Sequence, residues 1–137
     1  MMKLLVTGAN GLLGQKLVSL SASLQEISFI ATSRGENRNL PGKYEYRKLD
    51  VTSREEVSTV LKEINPDVVI NCAAMTHVDQ CETHQEACWS QNVTALEYLI
   101  AGCIEANALL IQLSTDFIFD GLAGPYAEEA LAHPLSY

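Results

Sequence analysis

Three glycines, Gly8, Gly11 and Gly14, stand at every third position between a short apolar run, Met2-Lys3-Leu4-Leu5-Val6, and an amphipathic stretch. That spacing can hold phosphate without a basic side chain. The first glycine permits a tight turn, the second lets backbone approach a pyrophosphate, and the third lets a helix pack closely on the strand. Free backbone amides and the helix dipole then bind the anion. Gly8, Asn10, Gly11, Leu12, Leu13 and Gly14 are the candidate contacts. A second chemical group lies far along the chain. Leu113-Ser114-Thr115-Asp116 closes another apolar run with two hydroxyls and a carboxylate, groups able to stabilise an oxygen on which charge develops.

A third group decides between coenzymes. Dinucleotide sites selective for NAD usually carry a carboxylate at the end of the second strand, facing the ribose diol. Here that end reads Ala31-Thr32-Ser33-Arg34, with no carboxylate before Glu36. A hydroxyl on Ser33 and a guanidinium on Arg34 suit a 2′-phosphate. NADP(H) is the expected cofactor and NAD(H) the alternative. The competing role for Arg34 is a solvated loop residue.

These residues need a scaffold. Strands are expected at 2–6, 27–32, 44–49, 67–73 and 108–113, the fourth a continuous apolar run of the kind buried on both faces. Between them fall helices at 12–24, from a cap at Thr52 or Ser53 to Ile64, and 84–107. Leu12, Leu13, Leu17, Val18 and Leu20 supply the apolar face of the first helix, and Asn65-Pro66 stops the second. Strands alternating with helices predict an α/β fold: a Rossmann-like, doubly wound parallel sheet of five strands, one domain over residues 1–137.

Composition is consistent with this. The chain is 47% apolar and 19% charged, ordinary for a globular protein. Its net charge of −8 is scattered and argues against nucleic acid as a partner. No signal peptide and no membrane span are visible, and Cys72, Cys81, Cys88 and Cys103 lack paired spacing, so a cytoplasmic location with reduced thiols is expected.

The G-x-x-G-x-x-G spacing resembles the extended short-chain dehydrogenases/reductases, and two segments narrow the likeness. Residues 73–82, Ala-Ala-Met-Thr-His-Val-Asp-Gln-Cys-Glu, resemble the A-A-x-T-x-V-D-x-x-E of dTDP-4-dehydrorhamnose reductases. Residues 114–121, Ser-Thr-Asp-Phe-Ile-Phe-Asp-Gly, are similar to that family's S-T-D-[YF]-[VI]-F-D-G. The resemblance implies reduction of a nucleotide-linked 4-keto-6-deoxy sugar, dTDP-4-dehydrorhamnose to dTDP-L-rhamnose. It places Asp50 and Val51 against the adenine, although Asp50 can equally cap a helix. Ala73, Ala74, Met75, Thr76, Asn92 and Leu113 would face the cofactor, and Val78, Thr115 and Asp116 the sugar. Thr115 would hydrogen-bond the C4 keto oxygen; its competing role is a strand-end cap.

The same resemblance supplies a proton donor in a Tyr-x-x-x-Lys pair on a following helix. Counted from Pro134, that Tyr falls just beyond Tyr137. The chain is therefore expected to be an N-terminal part that binds cofactor without turnover. An apolar patch should be left exposed, favouring self-association or homodimerisation. Tyr44 and Lys48 spell the same pattern but lie in a strand, roughly 13 Å apart at about 3.3 Å per residue. His77, Cys81, His84 and Cys88 are spaced like one helix face, yet spread roughly 16 Å at 1.5 Å per residue, so no metal is expected. Two rival functions share these motifs: a non-catalytic regulatory subunit of the methionine adenosyltransferase type, and another sugar-nucleotide epimerase or dehydratase. Asp116-Phe117 fits the reductase better, because dehydratases usually place acidic residues beside the Thr.

Overall fold

A computed structural model describes residues 1–136; Tyr137, and its expected position next to an acid, lie outside the described residues. Five strands, β1 (Met2–Thr7), β2 (Ile27–Ser33), β3 (Glu45–Lys48), β4 (Val68–Asn71) and β5 (Leu109–Gln112), form one sheet in the order β3-β2-β1-β4-β5. Every pairing is parallel. The chain winds outward from β1 to β3, then crosses back to β4. This makes the carboxyl ends of β1 and β4 the switch point where such sheets bind ligands.

Alternation along β1 divides the core. Leu5 faces helices α2 (Arg54–Ile64) and α5 (Ala95–Ala106), in a cluster with Ile30, Val57, Leu61, Val69 and Leu99. Leu4 and Val6 face α1 (Leu12–Leu20), with Phe29, Ala31 and Val18. The β1 residues 4–7 are buried throughout, as the apolar run predicts. Helix α2 starts where its sequence says: the Ser53 hydroxyl accepts from Glu56 N, and Asn65 closes it in the left-handed conformation.

Three expectations are corrected. Helix α1 ends at Leu20 and not near residue 24, and it packs through Gly14 and Val18, leaving Leu12 (83%), Leu13 (46%) and Leu20 (55%) exposed. A Cβ on Gly14 would stand 2.3 Å from Gly8 O, so contact with the turn, and not the leucine stripe, sets this helix's approach. The long helix expected over 84–107 is interrupted. Helical structure begins already at α3 (Val78–Thr83), breaks at His84 (φ −128°), and resumes as α4 (Gln85–Trp89). A π turn, Ser90–Thr94, then leads into α5. The doubly wound sheet predicts cover on both faces, but the edge strands lack it. Leu109 and Ile111 stand beside Val68 and Ile70 on the α1 side of the sheet, where no helix among the described residues covers them.

Candidate functional site

The phosphate turn is shaped by backbone contact. Gly8 sits at φ +64°, and a Cβ there would lie 2.7 Å from Ala73 N and from the Cys72 carbonyl, so turn and β4 end touch through main chain. Leu12 and Leu13 open α1, where first-turn amides have no acceptor within the helix. Their side chains point to solvent, so any phosphate contact uses their N–H groups. Gly14 is packed under the turn and does not line the cleft.

A cleft of about 870 Å³ runs across the switch point, within the range of small-molecule sites. Ten candidate residues line it: Gly8, Asn10, Gly11, Ser33, Arg34, Val51, Ala73, Ala74, Met75 and Thr76. The lining also includes Arg38, Cys72, His77 and Gln80, to which the sequence assigned no cofactor contact. First-turn amides, close backbone approach and guanidinium groups in one cleft are the donor set that a dinucleotide needs.

At the end of β2 the side chains hold each other. Asn10 Nδ2 donates to Ser33 Oγ (2.6 Å) and Glu36 O (2.8 Å), while Asn10 Oδ1 accepts from Arg38 N (3.0 Å). Tyr46 Oη donates to Gly35 O (2.6 Å) and lies 2.6 Å from Ser33 Oγ. Since the single phenolic proton goes to Gly35, Ser33 must donate to Tyr46. The Ser33 hydroxyl is thus committed as a donor. Glu36, the first carboxylate after β2, is ion-paired with Lys48.

The β4 end carries a polar chain across three strands. Thr7 Oγ1 donates to Asn71 Oδ1 (2.5 Å), Asn71 Nδ2 to Gln112 Oε1 (2.7 Å), and Gln112 Nε2 to Leu113 O (2.8 Å). Parallel register aligns Thr7, Asn71 and Gln112, so one row of residues links the phosphate turn to the strand leading to Thr115. Leu113 itself is exposed and lies outside the cleft lining.

Asn92 holds the cleft wall. From the π turn, its Oδ1 accepts from Met75 N (2.8 Å), and its Nδ2 donates to Met75 O (3.0 Å) and Cys88 Sγ (3.3 Å). Cys81 Sγ donates to the same Met75 carbonyl (3.6 Å). A hydrogen bond shared with Cys88, reinforced by burial, pushes the Cys81 thiol up to about 11, and burial raises Cys72 and Cys103. All four cysteines are free thiols. Asn92 therefore positions backbone, and does not itself line the cleft.

Thr115 takes its competing structural role here, while Asp50 is not the helix cap, which Ser53 supplies. Asp50 Oδ1 accepts from Thr52 N (3.0 Å) and Thr52 Oγ1 (2.7 Å), folding the turn before α2. Thr115 Oγ1 accepts from Phe117 N (3.2 Å), capping a short 3₁₀ turn at Asp116–Ile118, and donates to Asp116 Oδ1 (3.2 Å). Thr115 and Asp116 are exposed, and with Val78 they stand outside the cleft lining. Behind them Tyr126 donates to Asp120 (2.5 Å) and stacks on Phe119, and that hydrogen bond, with one from Leu122 N, lowers the Asp120 carboxyl.

Tyr44 and Lys48 do not form an acid pair. Tyr44 Oη donates to Leu40 O, and Lys48 binds Glu36 from β3. Among the described residues no three His, Cys, Asp or Glu side chains are grouped to hold a metal, and no helix is long and apolar enough to cross a membrane.

A family model described as the RmlD substrate binding domain matches residues 2–137. A dTDP-4-dehydrorhamnose reductase of Aggregatibacter actinomycetemcomitans is 34% identical over 136 residues, 98% of this chain and 42% of that protein. The methionine adenosyltransferase 2 subunit beta of Xenopus laevis is 33% identical over 132 residues, 96% of this chain and 38% of that one. The dTDP-4-dehydrorhamnose reductase of Bacillus anthracis, solved in complex with NADP, superposes with a TM-score of 0.77 at 27% identity, over 99% of this chain and 45% of that one. The chain thus spans about two-fifths of the length of the curated relatives it matches.

Proposed function

Because the chain belongs to the RmlD substrate-binding domain family, we propose that it holds NADP(H) for the reduction of a nucleotide-linked 4-keto-6-deoxy sugar. The observation that carries this is the cleft at the β1/β4 switch point, where turn amides and two arginines face one space. The NADP named in the Bacillus anthracis structure and the substrate named for the Aggregatibacter relative support the reading.

Residues of this chain have separable tasks in it. The amides of the 8–13 turn hold the pyrophosphate, and the Asn92 clamp on Met75 fixes the wall beside the ring. When bound, the reduced nicotinamide supplies hydride to the sugar carbonyl. Thr115 donates to that carbonyl oxygen as alkoxide charge develops, which requires its hydroxyl to turn away from Asp116. Val78 and Asp116 contact the sugar. Tyr44, just ahead of β3, is bound to Leu40 O and Lys48 to Glu36, so this Tyr-x-x-x-Lys serves no acid role, and the reading has the 137 residues alone bind coenzyme without turnover.

A second reading is a coenzyme-binding regulatory subunit. It is favoured by the Xenopus relative and by a Thr115 hydroxyl already occupied as a cap. Fluorescence titration with NADPH and NADH tests the shared part: a folded chain that binds neither sinks both readings. Incubation with NADPH and a dTDP-4-keto-6-deoxy sugar tests the rest. Turnover by these 137 residues would overturn their inactivity. Its absence from the longer protein would favour the regulatory role.

A further inference from the structure

We propose that Arg38 is a second specificity-determining cation of the coenzyme cleft, gripping with Arg34 a phosphomonoester on the adenosine ribose, and that Asn10 is the residue that positions it. This rests on the NADP(H) reading above and goes beyond its assignment of Ser33 and Arg34.

One donor is missing from the end of β2. A hydroxyl on Ser33 and the guanidinium of Arg34 would together serve a 2′-phosphate. In the structure the Ser33 proton goes to Tyr46, whose own proton goes to Gly35 O. Ser33 can accept there but has no proton left to give, and a phosphate dianion needs donors. Arg38 lines the same cleft as Arg34 and supplies the missing ones.

Of the five basic side chains without a partner among the described residues, Lys16, Arg34, Arg38, Lys43 and Arg54, only Arg34 and Arg38 line the cleft. Arg47, Lys48 and Lys62 are ion-paired, and Lys3 Nζ donates to Ile64 O. Among the described residues neither the Arg34 nor the Arg38 guanidinium has a partner. The one carboxylate between them, Glu36, is drawn off by Lys48. In a chain of net charge −8, this leaves two arginines without a charge partner lining one cleft, Arg38 also bordering the neighbouring hollow beside α1. Paired guanidinium forks match the oxygens of a phosphomonoester and have nothing comparable to grip on a ribose diol.

Asn10 makes the arrangement more than two long side chains on a loop. It accepts from Arg38 N and donates to Ser33 and Glu36 O, while Asn39 Nδ2 donates to Ala9 O (3.2 Å). One side chain therefore joins the phosphate turn to both ends of the 33–38 segment. The backbone of Arg38 is held at a set distance from the pyrophosphate site before any ligand arrives, which lowers the ordering cost of binding.

The test uses dissociation constants for NADPH and NADH by fluorescence, and for 2′,5′-ADP and 5′-AMP by calorimetry. Circular dichroism checks the fold of each variant. Arg38→Ala should weaken NADPH and 2′,5′-ADP about tenfold, leaving NADH and 5′-AMP within about twofold. Arg38→Lys should recover only part of the loss. Asn10→Ala should lower the NADPH/NADH ratio in the parent and change it little in an Arg38→Ala background, an outcome that a merely structural role would not give. The proposal is overturned if Arg38→Ala weakens NADH as much as NADPH, or weakens neither. Equal binding of both coenzymes by the parent removes the clamp but keeps the cleft. Failure to bind any of the four nucleotides removes the coenzyme reading and this proposal with it.

Discussion

The two ends of the row Thr7, Asn71, Gln112 are built to different tolerances. At the β1 end the backbone of the phosphate turn touches the backbone of β4, and side chains fill their hydrogen-bonding capacity on one another. At the β5 end, Thr115 and Asp116 are exposed, with one hydroxyl capping a turn. The contrast separates two requirements. Holding a coenzyme needs geometry fixed in advance, and the sheet supplies it. Under the proposed function, meeting a substrate needs a group that can turn, and the Thr115 hydroxyl would have to leave its cap to do so.

The contrast breaks most sharply at glycine. Gly8→Val forces a side chain into the Cys72–Ala73 backbone at positive φ, and Gly14→Ala drives a methyl into Gly8 O. Each should cost roughly 3 kcal/mol or more in urea unfolding and abolish coenzyme binding. Gly121→Ala, also at positive φ but with nothing within 4 Å, should cost only about 1 kcal/mol. Equal losses at Gly8 and Gly121 would mean that close approach plays no part.

Next in size is the row itself. Asn71→Ala strands the buried Thr7 hydroxyl and should cost about 2 kcal/mol. Thr115→Val loses only an exposed cap, about 0.5 kcal/mol in the same assay. If the proposed chemistry holds, the same change in a chain spanning the relatives' full length should still lose about a hundredfold in kcat.

The pH responses should also divide. The raised Cys81 thiol stays protonated in the folded chain while the unfolded thiol, near 9.0, ionises. Its contribution is full below pH 9 and is lost as pH rises toward 11, so urea midpoints should fall across that window. Reaction with a thiol reagent at pH 7 should be slow until denaturant is added. Asp120 shifts the other way. Its contribution is present above its ordinary value of 3.8 and is lost as pH falls below that, loosening the segment around Tyr126. Tyr126 fluorescence anisotropy against pH would show it. Smallest of all, Arg47→Ala removes exposed pairs with Glu45 and Glu63 and should leave the urea midpoint unchanged.

Much of the coenzyme end was legible because its signals are local. Glycine spacing and the Ser53 cap act within a few residues and formed as expected, while the apolar run expected at 67–73 gave a shorter strand, Val68–Asn71, with Val69 and Asn71 buried and Val68 and Ile70 only partly so. What escaped was non-local. The partners of Asn10 lie 23 to 29 positions away, so nothing beside it announces a hub. Arg38 enters the cleft only because that hub folds the loop back. The exposure of Leu12 and Leu13 was hidden because an apolar stripe does not reveal that glycine contact, and not leucine packing, seats the helix. The break at His84 lies inside a stretch of continuous helical character, where the Thr83 hydroxyl meets His84 Nδ1.

The π turn at Ser90–Thr94 carries a consequence for how this chain can change length. A π turn is an α-helix holding one residue too many. Removing any one residue from 90–94 would let the helix run straight, an apparently harmless loss. The phase of α5 would be kept, because five residues of π turn sweep about the 400° that four α residues do. Leu99, wholly buried against α2, and Gly102, whose missing side chain leaves room for Leu61, would stay on their face. What would go is the bulge that presents Asn92 to Met75. The surplus residue serves the clamp and not the core, so a one-residue deletion here should spare the fold and loosen the cleft wall.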